Sequence, residues 1–131
     1  MRYLLLIYDD PEVWARMSPD ETSQIMKEYF DYSNWLEGKG WFQGGNALQP
    51  TQTATTVRSR DGERLLTDGP FAETKEQLGG YYLIDVPGLD EALEAAERIP
   101  SARIGSIEVR PVMEFPDEQA AAESAAAEAR G

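Results

Sequence analysis

Neither cysteine nor histidine occurs among the 131 residues of this chain. The absence of cysteine excludes disulfide bonds and thiol nucleophiles, and without both residue types the common zinc sites have no ligands. The absence of histidine removes the side chain used most often for proton transfer near neutral pH. Side-chain chemistry must therefore come from acidic, basic or hydroxyl groups.

Positive charge is also scarce, because 12 Lys and Arg stand against 24 Asp and Glu, for a formal net charge of −12. Nucleic acid is not expected as a partner, since phosphate neutralisation needs clustered cations. An anionic membrane surface is disfavoured for the same reason. A basic protein or a cationic ligand stays compatible with this charge.

Long hydrophobic runs are missing as well. The N-terminal run RYLLLIY, residues 2–8, is too short for a signal sequence or a membrane span, and acids follow it at once. We therefore expect a cytoplasmic protein. The length and the 41% apolar composition suit one domain with a modest core.

Strand and helix signals alternate along the chain. Arg2–Tyr8 predicts a central strand that is covered on both faces. Ser18 and Glu21 form an S-x-x-E capping box at the start of a helix, and Gly38 and Gly40 mark its end. The apolar stripe expected on this helix comprises Ile25, Met26, Tyr29, Ser33 and Leu36.

The second half of the chain repeats this alternation after a hairpin. Asp61-Gly62 between two β-prone runs is a strong turn signal. The expected strands are Trp41–Leu48, 53–59, 63–67, Gly80–Val86 and Gly105–Met113. The expected second helix spans Leu89–Ile99, with a stripe of Leu89, Ala92, Leu93, Ala96 and Ile99.

This order of elements predicts an α+β, ferredoxin-like β-α-β…β-α-β sandwich with an inserted β-hairpin. Both helices would cover one face of the sheet. A homodimer that packs sheet to sheet is the economical way to hide the other face. The domain is expected at residues 1–115, and the Ala/Glu-rich tail at 116–131 is expected to be a frayed helix or disordered.

Several segments resemble the DGPF subgroup of the YCII-related family. The most specific is Asp68-Gly69-Pro70-Phe71 followed by AETKEQLGGYYLIDV, and YLLLIY, GGNALQP, TATTVR and IEVRPV also match. The resemblance implies a ferredoxin-like fold that pairs as a dimeric α/β barrel. Its members mostly lack an established reaction, and it implies no cofactor.

The resemblance carries two further expectations. Proteins of the wider YCII group have a His–Asp pair proposed as an active site, which this chain cannot complete because it has no histidine. DGPF-type proteins are also similar to ones encoded beside, or fused to, extracytoplasmic-function sigma factors. That similarity implies a regulatory link to a sigma factor.

The DGPF stretch admits two interpretations. In one it is a rigid corner, in which Asp68 accepts backbone hydrogen bonds and Phe71 anchors the turn to the body. In the other, Asp68 is a general base or ligand-binding carboxylate, Lys75 supplies positive charge and Glu76 a second carboxylate.

The last strand and two tyrosines supply further candidates. Glu108 and Arg110 should point away from the helices, where Arg110 either binds an anion or pairs with Glu108. Tyr8 and Tyr82 are phenols that can donate to a ligand inside a barrel. An acidic metal site at Asp9, Asp10 and Glu12 is conceivable, but acids after a strand more often form a solvated loop, so no metal is expected.

Together these residues favour a small-molecule-binding protein, with acid–base activity as an extension of that role. Its pocket is expected between the sheet face and the DGPF loop, with Asp68 as the catalytic candidate. The ligand-binding candidates are Lys75, Arg110, Tyr82, Tyr8 and Glu108. The alternatives are a non-catalytic regulatory partner of a sigma factor and a structural dimer whose pocket is filled by side chains.

Overall fold

The computed structural model describes residues 1–115, and the predicted tail lies outside them. The strands are β1 Arg2–Asp9, β2 Phe42–Ala47, β3 Thr55–Arg60, β4 Glu63–Asp68, β5 Gln77–Asp85 and β6 Ser106–Pro111. The helices are α1 Pro11–Ala15, α2 Pro19–Lys39 and α3 Leu89–Glu97. Single 3₁₀ turns occupy Thr51–Thr53 and Pro100–Arg103.

Four of the strands form one antiparallel sheet in the order β2-β5-β1-β6. With the β3–β4 hairpin set aside, this order and the two crossing helices α2 and α3 give the ferredoxin-like topology. The predicted α+β fold class is confirmed. The hairpin forms a separate two-stranded sheet.

The core lies on the helix-covered face of the sheet. Alternate residues of β1 point into it, since Tyr3, Leu5 and Ile7 are all buried. The helices and the neighbouring strand bring Tyr32, Leu36, Ile84, Val86, Ala92, Ala95, Ala96 and Ile99 to the same cluster. This packing places β1 at the centre of the domain.

The opposite face of the sheet carries a second apolar layer. Leu4 is paired with Leu83 across β1 and β5, and Leu6 with Tyr81, and all four side chains are half-buried. The helices lie on the other face. The expectation that β1 is covered on both faces therefore holds, within residues 1–115, for one face only.

Helix α2 begins as the capping box predicts. The Glu21 N–H donates to Ser18 Oγ at 3.1 Å, and the Ser18 N–H donates to Glu21 Oε1 at 3.3 Å. The helix continues through Gly38 and ends at Lys39, directly before Gly40, so the second of the two glycines marks its end. Of the expected stripe, Ile25 and Leu36 are buried, whereas Met26 is 57% exposed.

The stripe expected on α3 is wrong at its two leucines. Leu89 and Leu93 are 52% and 48% exposed, and the buried residues are Ala92, Ala95 and Ala96. The buried side chains of α3 are thus small, and the two leucines lie at the edge of its contact with the core. Large apolar residues give the strongest helical pattern in a sequence, whereas the buried side of α3 consists of alanines.

The hairpin is confirmed, whereas α1 was not expected and β5 starts earlier than expected. Asp61 and Gly62 form its two-residue turn with φ angles of 52° and 78°. Helix α1 lies where the acids after β1 suggest a loop; Asp10 caps it and Pro11 occupies its first turn. Strand β5 begins at Gln77, three residues before the predicted start at Gly80.

Gly105 marks a close approach between the end of β1 and the turn before β6. A Cβ atom at this position would overlap the carbonyl oxygen of Tyr8 and lie 3.0 Å from the Cβ of Asp9. We expect Gly105→Ala to lower the free energy of unfolding by about 1–3 kcal/mol, because backbone atoms must move to admit the methyl group. Urea denaturation followed by circular dichroism measures this change.

Gly38→Ala is the matched control. A Cβ at Gly38 meets no atom within 4 Å and lies in helix α2. This variant is expected to be neutral or more stable by up to about 1 kcal/mol. Equal effects of the two substitutions would contradict the close approach at Gly105.

Candidate functional site

A cavity of about 730 Å³ opens on the helix-covered side of the sheet. Its walls come from α1, α2, β2, β5 and the segment that follows β2. The aromatic and apolar part of the lining includes Ile7, Trp14, Met26, Tyr29, Phe42, Leu48, Leu78 and Tyr82. Its size and mostly apolar surface are typical of a small-molecule site.

Asp9 is the single charged side chain among the lining residues in the described part of the chain. It is the last residue of β1 and is half-buried. Its Oδ2 accepts a 2.9 Å hydrogen bond from the indole N–H of Trp14, which α1 brings back over the strand end. Trp14 therefore holds one oxygen of the carboxylate in place.

The other oxygen of Asp9 is available to a ligand. Within residues 1–115, Oδ1 has no hydrogen-bond partner, and it lies beside Gly79 of β5. A Cβ at position 79 would come within 3.3 Å of this oxygen. The glycine thus leaves room next to an acceptor at the edge of the cavity.

The surroundings of Asp9 shift the balance between its ionised and protonated forms. Burial raises the pKa of its carboxyl group above the ordinary value, and the hydrogen bond from Trp14 opposes this. The negative charges of Glu76 and Asp10 raise the pKa further. An acid shifted towards neutrality in a cavity is suited to exchange a proton with a ligand.

Two pairs of hydroxyl groups add to the polar lining. The hydroxyls of Tyr29 and Ser101 lie 2.5 Å apart, and those of Ser33 and Tyr82 lie 3.5 Å apart. Burial raises the pKa of both Tyr29 and Tyr82. Both phenols are therefore protonated at neutral pH and can donate a hydrogen bond to a ligand.

The structure disperses most of the residues that the sequence suggested for the site. Tyr82 lines the cavity and points to the helix-covered face. Tyr8 lies on the opposite face, in register with Ser106 of β6. Glu108 and Arg110 lie on that opposite face too, where the Arg110 guanidinium donates to Glu108 Oε2. This pairing corresponds to the ion-pair interpretation of the two residues.

The DGPF corner is held by backbone and threonine contacts. The Gly69 N–H donates to the Ala54 carbonyl at 2.7 Å, and the Thr56 hydroxyl donates to the Gly69 carbonyl at 2.9 Å. Asp68 is exposed, and within residues 1–115 its carboxylate makes no hydrogen bond or ion pair. Lys75 is exposed as well, and neither residue lines the cavity.

Phe71 does not anchor the corner as expected. Phe71 is 79% exposed, and it follows a hairpin that forms a sheet of its own, separate from the main sheet. The later part of the same stretch behaves differently. Gln77, Leu78, Gly79 and Gly80 form the start of β5 and line the cavity.

The acids that follow β1 have separate tasks. Asp10 accepts a hydrogen bond from the Glu12 N–H at 2.9 Å and so caps α1, and Glu12 pairs with Arg16 at 3.1 Å. Among residues 1–115 no three acidic side chains gather closely enough to hold a metal ion. No described helix is long and apolar enough to cross a membrane.

Asp9 is the residue that the sequence pattern undervalues, because an acid after a strand indicates either part of an acidic metal site or, more often, a solvated loop. Two signals were present. An acid directly ends the apolar central strand, and a tryptophan follows five residues later after a proline that can start a helix. That spacing allows the indole to fold back onto the carboxylate.

Comparison with known proteins shows which family this chain matches. The model of the YCII-related domain matches residues 1–128 of the chain. An uncharacterised protein of Rhizobium meliloti (strain 1021) is 41% identical over 114 residues, which cover 86% of this chain and 92% of that protein.

One solved structure shows a distant likeness. It is 5-chloro-2-hydroxyhydroquinone dehydrochlorinase (TftG) from Burkholderia phenoliruptrix AC1100, in complex with 2,5-dihydroxybenzoquinone. The match covers 88% of this chain and 96% of that chain, with a TM-score of 0.45 and 16% identity. At that distance it carries no argument about the activity of this protein.

The raised pKa of Asp9 predicts a pH-dependent cost to stability. Below the ordinary Asp pKa of about 3.9 the carboxyl is protonated in both folded and unfolded chains and contributes nothing. As the pH rises through the folded-state pKa, ionisation is less favourable in the folded chain, so stability is lost. Asp9→Asn should therefore gain stability relative to the wild type as the pH rises from 3 to 7.

Urea denaturation at a series of pH values measures this difference. Asn can still accept the hydrogen bond from Trp14 through its amide oxygen, so the main change is the removal of the buried charge. Asp31→Asn on the exposed side of α2 is the control for loss of one surface charge. A stability difference for Asp9→Asn that does not vary with pH would contradict the assigned environment.

Proposed function

The chain belongs to the YCII-related domain family, and we propose that it binds a small, largely apolar molecule in the cavity beside Asp9. The observation that carries this proposal is the geometry of that carboxylate. Trp14 holds one of its oxygens at 2.9 Å, and the other faces an apolar cavity of about 730 Å³ without a partner in residues 1–115.

In this proposal Asp9 fixes one polar end of the ligand and exchanges a proton with it. The hydroxyls of Tyr29 and Tyr82 donate hydrogen bonds to the ligand elsewhere in the cavity. A raised pKa makes the ionised carboxylate a stronger proton acceptor than an ordinary aspartate, which suits such proton exchange. Acid–base activity would extend the same arrangement, with Asp9 as its catalytic residue.

This location differs from the pocket expected from the sequence. That pocket was placed between the sheet face and the DGPF loop, with Asp68, Lys75 and Arg110 in its lining. The proposed site lies on the helix-covered side, keeps Tyr82, and uses the β5 end of the DGPF stretch instead of its corner. The regulatory alternative with a sigma factor still depends on the resemblance alone.

Filling the cavity should abolish binding. Ser33 projects from α2 into the cavity, so Ser33→Leu occupies ligand space while keeping a good helix former. We expect wild-type protein to bind the neutral fluorophore N-phenyl-1-naphthylamine saturably, and Ser33→Leu to bind it at least about tenfold more weakly. Fluorescence titration measures both, with thermal unfolding as the check on folding.

Phe71→Ser controls for adsorption of the dye to exposed apolar surface. Phe71 is 79% exposed and does not line the cavity, so this variant should bind the dye as the wild type does. The proposal fails if Ser33→Leu is folded and binds the dye unchanged, or if Phe71→Ser removes the binding.

We also propose that a second copy of the chain covers the open face of the sheet. This face carries the contiguous apolar residues Leu4, Leu6, Tyr81 and Leu83. Soluble monomers seldom leave apolar patches of several strands exposed, and isologous packing of two identical sheets hides both at once. The Glu108–Arg110 pair lies at the edge of this face.

Light scattering coupled to gel filtration tests the dimer. A mass of about twice the 14.6 kDa chain is expected for wild type, and Leu83→Lys should shift it towards one chain because a charge enters the apolar interface. Val57→Lys in the exposed hairpin should remain dimeric. A monomeric wild type, or a dimer of unchanged stability in Leu83→Lys, would refute this arrangement.

A further inference from the structure

The charge of the cavity lining has one sign. Asp9 is its single charged residue, and no lysine or arginine of the described chain contributes to the lining. Two basic groups on neighbouring elements are already paired with acids, Arg16 with Glu12 and Arg103 with Glu28. A ligand with a carboxylate or phosphate would therefore meet no counter-ion in this cavity.

One oxygen of the Asp9 carboxylate is placed to receive a donor. Oδ2 is engaged by Trp14, whereas Oδ1 lies beside Gly79 with no hydrogen-bond partner among residues 1–115. A hydrogen bond to an ionised carboxylate is strongest when the donor also carries positive charge. The charges of Glu76 and Asp10 act on the same point and add to the negative potential there.

The rest of the lining suits an apolar body. The rings of Trp14, Tyr29, Phe42 and Tyr82 all contribute to this surface. The polar groups beside them are neutral hydroxyls and amides, which accept or donate hydrogen bonds without favouring either charge. Specificity for charge must therefore come from Asp9.

We infer that the ligand of this cavity is a small amine, in which a protonated ammonium binds Asp9 Oδ1 and an aromatic or branched alkyl body lies against the rings. This inference rests on the proposed function and narrows it to one chemical class. The ammonium would bind an oxygen that residues 1–115 leave without a hydrogen bond, and it would supply the counter-ion that those residues do not place in the cavity.

Three probes of similar shape but different charge distinguish recognition of charge from burial of the apolar ring: benzylammonium, benzyl alcohol and benzoate. Each competes with N-phenyl-1-naphthylamine for the cavity at pH 7.5 and low salt. Benzylammonium should bind at least about tenfold more tightly than benzyl alcohol, since a charge-assisted hydrogen bond replaces a neutral one. Benzoate should bind more weakly than benzyl alcohol.

The variants assign this preference to Asp9. In Asp9→Asn the ratio of benzylammonium to benzyl alcohol affinity should fall to about one, while the dye and the alcohol still bind. Asp31→Asn, which removes an exposed charge outside the cavity, should keep the wild-type ratio.

The two proposals fail in different ways. If the dye and the alcohol bind but benzylammonium has no advantage, or if benzoate binds most tightly, the amine inference is overturned and the proposed cavity stands. If an advantage persists in Asp9→Asn, the amine is recognised elsewhere and the inference is again overturned. If neither the dye nor any probe binds, the proposed function fails and takes the inference with it.

Discussion

A carboxylate placed at the half-buried end of the central strand is the constraint around which the site is built. Burial makes ionisation of Asp9 less favourable than it is in water. Its negative charge must therefore be stabilised by neighbouring groups or by a bound ligand. Within the chain, the indole N–H of Trp14 donates a hydrogen bond to one of the two carboxylate oxygens. That contact requires α1, because only a helix directly after β1 returns Trp14 to the strand end.

The backbone around Asp9 is fitted to the same purpose. Gly105 allows the turn before β6 to approach the last residues of β1, and Gly79 leaves the side of Oδ1 clear. Larger residues at these two positions would displace the strand end or cover the carboxylate. The segments on both sides of β1 therefore help to shape the space around Asp9, so the sheet does more than form one wall of the site.

The fold was predictable from the sequence because its signals are local. The capping box at Ser18, the Asp61-Gly62 turn and the apolar run of β1 each specify one element by short-range chemistry. The site was not predictable in the same way. Asp9 and Tyr82 are brought together by strand pairing between distant segments, and the raised pKa of Asp9 depends on burial that no local pattern records.

In the DGPF stretch, the residues that identify the family are not the residues that line the cavity. Its most recognisable residues form a corner, which Ala54 and Thr56 hold by hydrogen bonds. Asp68 and Phe71 are exposed, and neither of them lines the cavity. Its inconspicuous end, from Gln77 onward, pairs with β1 directly opposite Asp9. The DGPF motif identifies the family, whereas the cavity is lined by the later residues of the same stretch, where it enters β5. The corner fixes where the chain leaves the hairpin, and the strand that follows brings Gly79 to the carboxylate.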